Sequence, residues 1–278
     1  MATIHEVLEI ERIENDIFRG STPDSFLQRT FGGQVAAQAL VAAVRTVDDD
    51  HAVHSLHGYF IRPGRPEIPT VYLVDRIRDG RSFATRRVTG VQDGKAIFFM
   101  SASFHVEDDG PEHQDEMPAV PYPEDLPDPT GLQGQIAAWH SREWPDWDLR
   151  QVPAASVDKR PGVAAQQQVW IRYRHTLPAD PVFHVCVLTY LSDMTLLGSS
   201  RVPHAEGPET QGASLDHALW FLRPFRADEW LLYDQTSPSA GFGRAFTQGR
   251  IFDRSGRLVA AVTQEGLMRY ERPPAERR

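Results

Sequence analysis

Two tandem copies of one α+β unit, each a central helix wrapped by an antiparallel β-sheet, are predicted by three features of this sequence. The pattern aromatic-Phe-aliphatic-Arg-Pro occurs at Tyr59-Phe60-Ile61-Arg62-Pro63 and again, 161 residues on, at Trp220-Phe221-Leu222-Arg223-Pro224. Downstream, turn signals at Asp93-Gly94 and Ser255-Gly256 place Gly94 and Gly256 162 residues apart. Between the landmarks of each copy lie short runs rich in β-branched and aromatic residues, which are strand signals, and one candidate helix precedes them.

In copy one, Gly32-Gly33 introduce Gln34–Val44, rich in alanine and apolar on nearly every side. A helix without a polar face belongs inside the fold, and small side chains let a sheet close around it. Strands are expected at Thr70–Val74, Phe83–Thr89 and Ala96–Phe104, the last two joined by an Asp-Gly hairpin turn. Residues 107–162 are acidic and carry nine prolines, so they are expected to form a linker without regular sheet, with room for a short helix at Gln133–Glu143. In copy two the helix is expected at Ser192–Gly198, with Ser192 or Asp193 as its N-cap. Its strands are expected at Glu229–Tyr233, Gly243–Phe252 and Arg257–Thr263. One helix enclosed by a curled antiparallel sheet is a hotdog fold. The expected arrangement is a double hotdog: an N-terminal unit over 1–106, the linker over 107–162 and a C-terminal unit over 163–278.

Composition narrows the function. A net charge of -9 argues against nucleic acid, which needs a basic footprint. The one cysteine, Cys186, lies in His184-Val-Cys-Val-Leu188 and is expected to be a small core residue. A chain with a single cysteine forms no internal disulfide, which fits a reducing, cytoplasmic setting. The N-terminus lacks the basic-then-apolar pattern of a signal peptide, and no apolar run suggests a membrane span. There is no Gly-x-Ser-x-Gly elbow, no His-Glu-x-x-His and no cysteine pair, so neither an α/β-hydrolase nor a metal site is expected. No cofactor is implied.

The repeat also separates polar residues by copy. Gln264 answers Ala102, Ser214 answers Val53, and Asp193 falls near Gly32–Gln34 in a looser alignment. A structural need would be shared by both copies, whereas a single reaction site would not. A carboxylate, a hydroxyl and an amide suit hydrolysis by an activated water: the carboxylate takes or orients the proton, and the other two hold the partners in place. Helix N-terminal N–H groups can stabilise the developing oxyanion. The cluster Ser214-Leu-Asp216-His217 looks like a compressed triad, but on an unbroken strand His217 would face away from Ser214 and Asp216. His54 and His57 are expected to be strand-face residues. Gln34 and Ser103 serve as copy-one controls.

The sequence resembles the type II acyl-CoA thioesterases, a double-hotdog family of bacteria and peroxisomes. The resemblance covers essentially the whole chain. It is carried by "FGGQVAAQAL" at 31–40, "HSLHGYFIRPG" at 54–64, "RDGRSFATRRV" at 78–88, "QQQVWIRYR" at 166–174, "YLSDMTLL" at 190–197, "SLDHALWFLRPF" at 214–225 and "VAAVTQEGLMR" at 259–269. It implies hydrolysis of acyl-CoA to free fatty acid and coenzyme A, and it places the family's catalytic Asp, Thr/Ser and Gln on Asp193, Ser214 and Gln264. Leu222 departs from the family where relatives carry His, and Ala245 stands where Gly is usual. A hotdog enoyl-CoA hydratase is disfavoured because Gly198 stands where that chemistry expects a His. A non-catalytic acyl-CoA-binding protein is the rival from another class. Exposed sheet edges lead to the expectation of a homo-oligomer, a dimer of double hotdogs or larger.

Overall fold

The computed structural model describes residues 2–127 and 142–271. Copy one contributes α1 (Ile4–Leu8), β1 (Glu11–Glu14), β2 (Ile17–Arg19), α2 (Gly32–Val44), β3 (Ala52–Phe60), β4 (Val71–Asp79), β5 (Phe83–Gln92) and β6 (Lys95–His105). Copy two contributes β7 (Trp147–Gln151), β8 (Gln166–Tyr173), α3 (Pro181–Ser192), β9 (Thr210–Ser214), β10 (Asp216–Phe221), β11 (Leu231–Gly241), β12 (Arg244–Asp253) and β13 (Leu258–Tyr270).

The strands form one continuous antiparallel sheet in the order β1-β2-β4-β5-β6-β3-β10-β13-β12-β11-β8-β7, with β9 pairing β13. Counted outward from the β3–β10 junction, the two halves have the same order. His57, whose repeat mate is Ala218, pairs with Ala218 itself, so a pseudo-two-fold axis passes between them. The predicted double hotdog is therefore a symmetric arrangement within one chain. The central helices α2 and α3 pack against each other inside the curled sheet. On α2, Ala36, Ala37, Ala39, Ala42 and Ala43 are all at most 1% exposed, which leaves no space for a larger side chain without a strain of roughly 1–3 kcal/mol.

Two sequence expectations are corrected here. The copy-two helix runs over Pro181–Ser192, with Asp180 as N-cap and Pro181 in its first turn; Asp193 is its C-cap, not its start. Its β-branched residues, Val182, Val185, Val187 and Thr189, hide the helical period, and tertiary burial overrides their weak helix propensity. The stretch 107–162 is not free of sheet: Trp147–Gln151 pairs with β8 as the outermost strand. It is flanked by Pro145 and Pro153, and prolines at the ends of an edge strand remove no ladder bond. The helix expected at Gln133–Glu143 falls largely outside the described residues.

The helical stretch Pro181–His204 is long and apolar enough by composition to cross a membrane. Its α-helical part has 12 residues, about 18 Å at 1.5 Å per residue. That is shorter than a bilayer core, and residues 186–192 are buried inside the fold, where the helix packs on α2. It is a core helix.

Candidate active site

Asp193, Ser214 and Gln264 meet. Gln264 Nε2 donates to Asp193 Oδ1 at 2.6 Å and to Ser214 Oγ at 2.8 Å. Ser214 Oγ donates to the same Asp193 oxygen at 3.2 Å. The three residues come from the end of α3, the end of β9 and the middle of β13. Gln264 is fully buried, and its backbone carbonyl accepts from the buried Thr247 hydroxyl at 3.0 Å.

The buried glutamine of copy one is a useful contrast. Gln38 donates to the Val7 carbonyl at 2.8 Å and to the Ser21 carbonyl at 3.2 Å, and its oxygen accepts from Tyr72 at 2.9 Å. Gln38 is a satisfied structural amide. Gln264 spends both N–H bonds on the hydroxyl and the carboxylate, while its Oε1 is buried without a partner among the described residues. Such an orphan acceptor carries a desolvation cost of roughly 1–3 kcal/mol, which packing alone does not explain.

The other wall of the site comes from copy one. A Cβ built at Gly32, the first residue of α2, would lie 2.6 Å from Asp193 Oδ2 and 2.9 Å from the Phe60 ring. The carboxylate thus faces the N-terminal turn of α2 at a point where any side chain would push it aside. That turn has no side-chain cap, and its first ladder bond runs from Val35 N–H to the Phe31 carbonyl. The N–H groups of Gly32, Gly33 and Gln34 precede the ladder, and they carry the positive end of the helix dipole. Asp193 is therefore repelled by the C-terminal end of its own helix and attracted by the start of α2.

The symmetry-related place in copy one is built differently. Ala102 and Val53 replace Gln264 and Ser214, and the C-cap of α2 is Arg45 where α3 has Asp193. The facing helix, α3, begins with Pro181, which has no N–H, and its first turn is capped by Asp180. Arg86, 1% exposed, pairs with Ala102 as Thr247 pairs with Gln264. Its guanidinium donates to the Thr46 hydroxyl and carbonyl, each at 2.8 Å, and to the Arg78 carbonyl at 3.0 Å. Copy one thus has structural hydrogen bonds where copy two has the trio.

His217 corrects a further expectation. It does not face away from Ser214. In β13, Gly266 pairs with Ser214 while Thr263 pairs with Ala218, so one extra residue sits between β9 and β10. That bulge flips the alternation and turns Ser214 and His217 to the same side. His217 Nδ1 lies 3.9 Å from Asp193 Oδ1, and its Nε2 lies 2.8 Å from Ser192 Oγ. Burial pushes the imidazole below the ordinary histidine range, against the pull of Asp193 and Asp216. Tyr233, which donates to the Ser192 carbonyl at 3.1 Å, is held far above the usual phenol range, first by burial and then by the Asp193 charge. Copy one has the same bulge between Val53 and Ser55. In the sequence, the three-residue spacing of apolar Val53 and Leu56, where a strand steps by two, is the signal for it.

Of the controls, Ser103 bonds to His54 at 2.8 Å, away from the trio. Gln34 is unsuitable, because it lies in the first turn of α2 that faces Asp193. Leu222 is exposed just past β10, and Ala245 is buried and pairs with Gly266. Cys186 is a buried core residue whose thiol is pushed up to about 12 by burial. Among the described residues, no three His, Cys, Asp or Glu side chains are grouped so as to hold a metal ion.

Comparison with known proteins adds a second line. Residues 140–267 match the family model described as acyl-CoA thioesterase, and residues 22–105 match the acyl-CoA thioesterase N-terminal domain. Acyl-coenzyme A thioesterase 8 of Mus musculus is 40% identical, over 96% of this chain and 89% of its own length. Acyl-CoA thioesterase 2 of Haemophilus influenzae is 35% identical, over 95% of this chain and 96% of its own. The crystal structure of an acyl-CoA thioesterase II, TesB2, from Mycobacterium marinum is 56% identical, with a TM-score of 0.88 over 98% of this chain and 100% of that one.

Proposed function

Because the chain belongs to the type II acyl-CoA thioesterase family and is therefore a thioester hydrolase, we propose that Asp193, Ser214 and Gln264 activate one water against the acyl-CoA carbonyl. The observation that carries this reading is the inequality of the two Asp193 oxygens. Oδ1 receives Gln264 and Ser214, whereas Oδ2 faces Gly32 and the free end of α2.

Oδ2 is then the basic atom. It takes a proton from the water as the new C–O bond forms, the role of a positioned general base. The carbonyl oxygen gains negative charge and is stabilised by the N–H groups of Gly32 and Gly33 at the start of α2. As the tetrahedral intermediate collapses, the C–S bond breaks and the proton held by Asp193 passes to the departing sulfur. The products are the free acid and coenzyme A. Ser214 and Gln264 hold the carboxylate in register, and the Gln264 amide spends both N–H bonds doing so.

The competing route has Ser214 attack directly, with Asp193 as its base across their 3.2 Å contact. The Ser214 proton and the Gln264 amide then share one carboxylate oxygen, which fits orientation of the hydroxyl better than its deprotonation. Mass spectrometry of protein quenched during turnover separates the routes. Unmodified protein is the expected result; an acyl adduct on Ser214 would overturn attack by water.

A further inference from the structure

We infer that His217 is a positioning residue for Asp193: in its Nδ1–H tautomer it directs a third donor at Asp193 Oδ1, beside those of Ser214 and Gln264. The inference rests on the reading of Asp193 as the base.

Four observations converge on it. His217 is 1% exposed and the Asp193 side chain 4%, so neither is screened by bulk water. His217 Nδ1 has no hydrogen-bond partner among the described residues, and its nearest acidic atom is Asp193 Oδ1 at 3.9 Å. The atom has almost no accessible surface, so the gap is too small to seat a bridging water. A bare nitrogen lone pair aimed at a carboxylate is repulsive, whereas an N–H aimed at it is attractive, and a shift of about 1 Å brings the pair to hydrogen-bond distance. On the far side of the ring, Nε2 lies 2.8 Å from Ser192 Oγ, whose one proton has two acceptors in reach, this nitrogen and the Thr189 carbonyl at 3.1 Å; the Nδ1–H form requires that proton to turn to Nε2.

Ser192 and Asp193 are the last residue and the C-cap of α3. One imidazole therefore contacts Ser192 and comes within a small shift of Asp193, at the helix end that carries the carboxylate. The bulge that presents His217 is itself locked: Asp216 Oδ1 accepts from Glu265 N–H at 2.6 Å, and Asp216 Oδ2 meets His57 Nε2 at 3.0 Å. The titratable groups facing His217 are Asp193, Asp216 and, across the pseudo-axis, His57; Tyr233 on β11 faces Asp193. With Oδ1 held by Gln264 and Ser214 and approached by His217, Oδ2 is the oxygen left for the reacting proton.

Two isosteric changes test the contact. His217→Asn keeps a donor near the Nδ1 position, and His217→Gln keeps one near Nε2. Initial rates of thiol release give kcat and KM, and 15N spectra of histidine-labelled protein report the tautomer directly. Expected are the neutral Nδ1–H form in the wild type, a fall in kcat of about tenfold or more for His217→Gln with KM within about twofold, and recovery of most of kcat in His217→Asn. An Nε2–H tautomer, or equal kcat for the two folded isosteres, overturns the inference while leaving the base assignment intact. Full activity in Asp193→Asn instead overturns the base assignment, and the tautomer measurement is independent of it.

Discussion

Replacing Gly32 by Ala separates catalysis from stability. The added methyl would lie 2.6 Å from Asp193 Oδ2 and 2.9 Å from Phe60 Cζ. The Phe60 ring can turn aside, but the carboxylate is tied through Oδ1 to Gln264 and Ser214. To regain ordinary van der Waals separation, Oδ2 must retreat by about 0.8 Å. Misplacement near 1 Å costs about 10² in rate. The helix itself should tolerate the change: Gly32 does not have a positive φ, and Ala is favoured over Gly in helices by up to ~1 kcal/mol, less at the first position. The expected outcome is a kcat about 10² lower with Tm unchanged or slightly raised, measured by thiol release and calorimetry. Wild-type kcat in a folded Gly32→Ala protein would refute the placement of the reacting water and carbonyl between Oδ2 and α2.

Asp193→Asn should lower kcat by roughly 10²–10⁴, the usual worth of a positioned general base, and Gln264→Ala should also lower it while Ser103→Ala does not; equal losses would mean a second site. Ser214→Thr should keep substantial activity and Ser214→Ala less, because a hydroxyl that only orients the carboxylate survives the extra methyl. Arg86→Met should cost roughly 2–5 kcal/mol of stability by stranding the carbonyls it serves, yet leave kcat near wild type; a large kcat loss would mean that copy one takes part in the reaction. Stability should fall as the pH drops from 7 towards 5. His184 and His217 are held below the ordinary histidine range by burial, so the unfolded chain binds protons in this window that the folded chain does not. The slope is at most ~1.4 kcal/mol per pH unit for each histidine, and a flat Tm profile over that range would refute it.

The sequence carried the architecture because both periodicity and repetition are local signals. The Arg-Pro landmarks and the Asp-Gly turn are short, and they survive any tertiary context; the Asp93-Gly94 turn forms with φ of 47° and 70°, as such a hairpin requires. The copy-two helix was harder to read because its β-branched residues resemble a strand, and because an insertion separates α3 from β10 where copy one has a short loop. The trio was legible as an asymmetry between copies. Gly32 and His217 were not, and for different reasons. Gly32 belongs to copy one, so a comparison that looks for polar residues in copy two passes over it. His217 was set aside by strand parity, which a single bulge inverts.

Fusion of the two units in one chain explains why one site can be specialised at the expense of the other. In a symmetric pair of separate hotdogs, any residue placed at one site must also occupy the other. Here the helix start facing the trio is Gly32, which has no side chain and whose N–H precedes the helical ladder, while α3 begins with Pro181, which has no N–H. The carboxylate position is Asp193 in one copy and Arg45 in the other, and the Arg45 guanidinium donates to the Ile10 carbonyl at 2.6 Å. Arg86 fills the second place with hydrogen bonds that no hydrolytic site could spare. The same asymmetry lets α1 pack over the start of α3, where His5 stacks on Phe183 with ring centroids 4.8 Å apart. Stability has thus been concentrated at one pseudo-equivalent position, and the orphan acceptor and close glycine contact at the other.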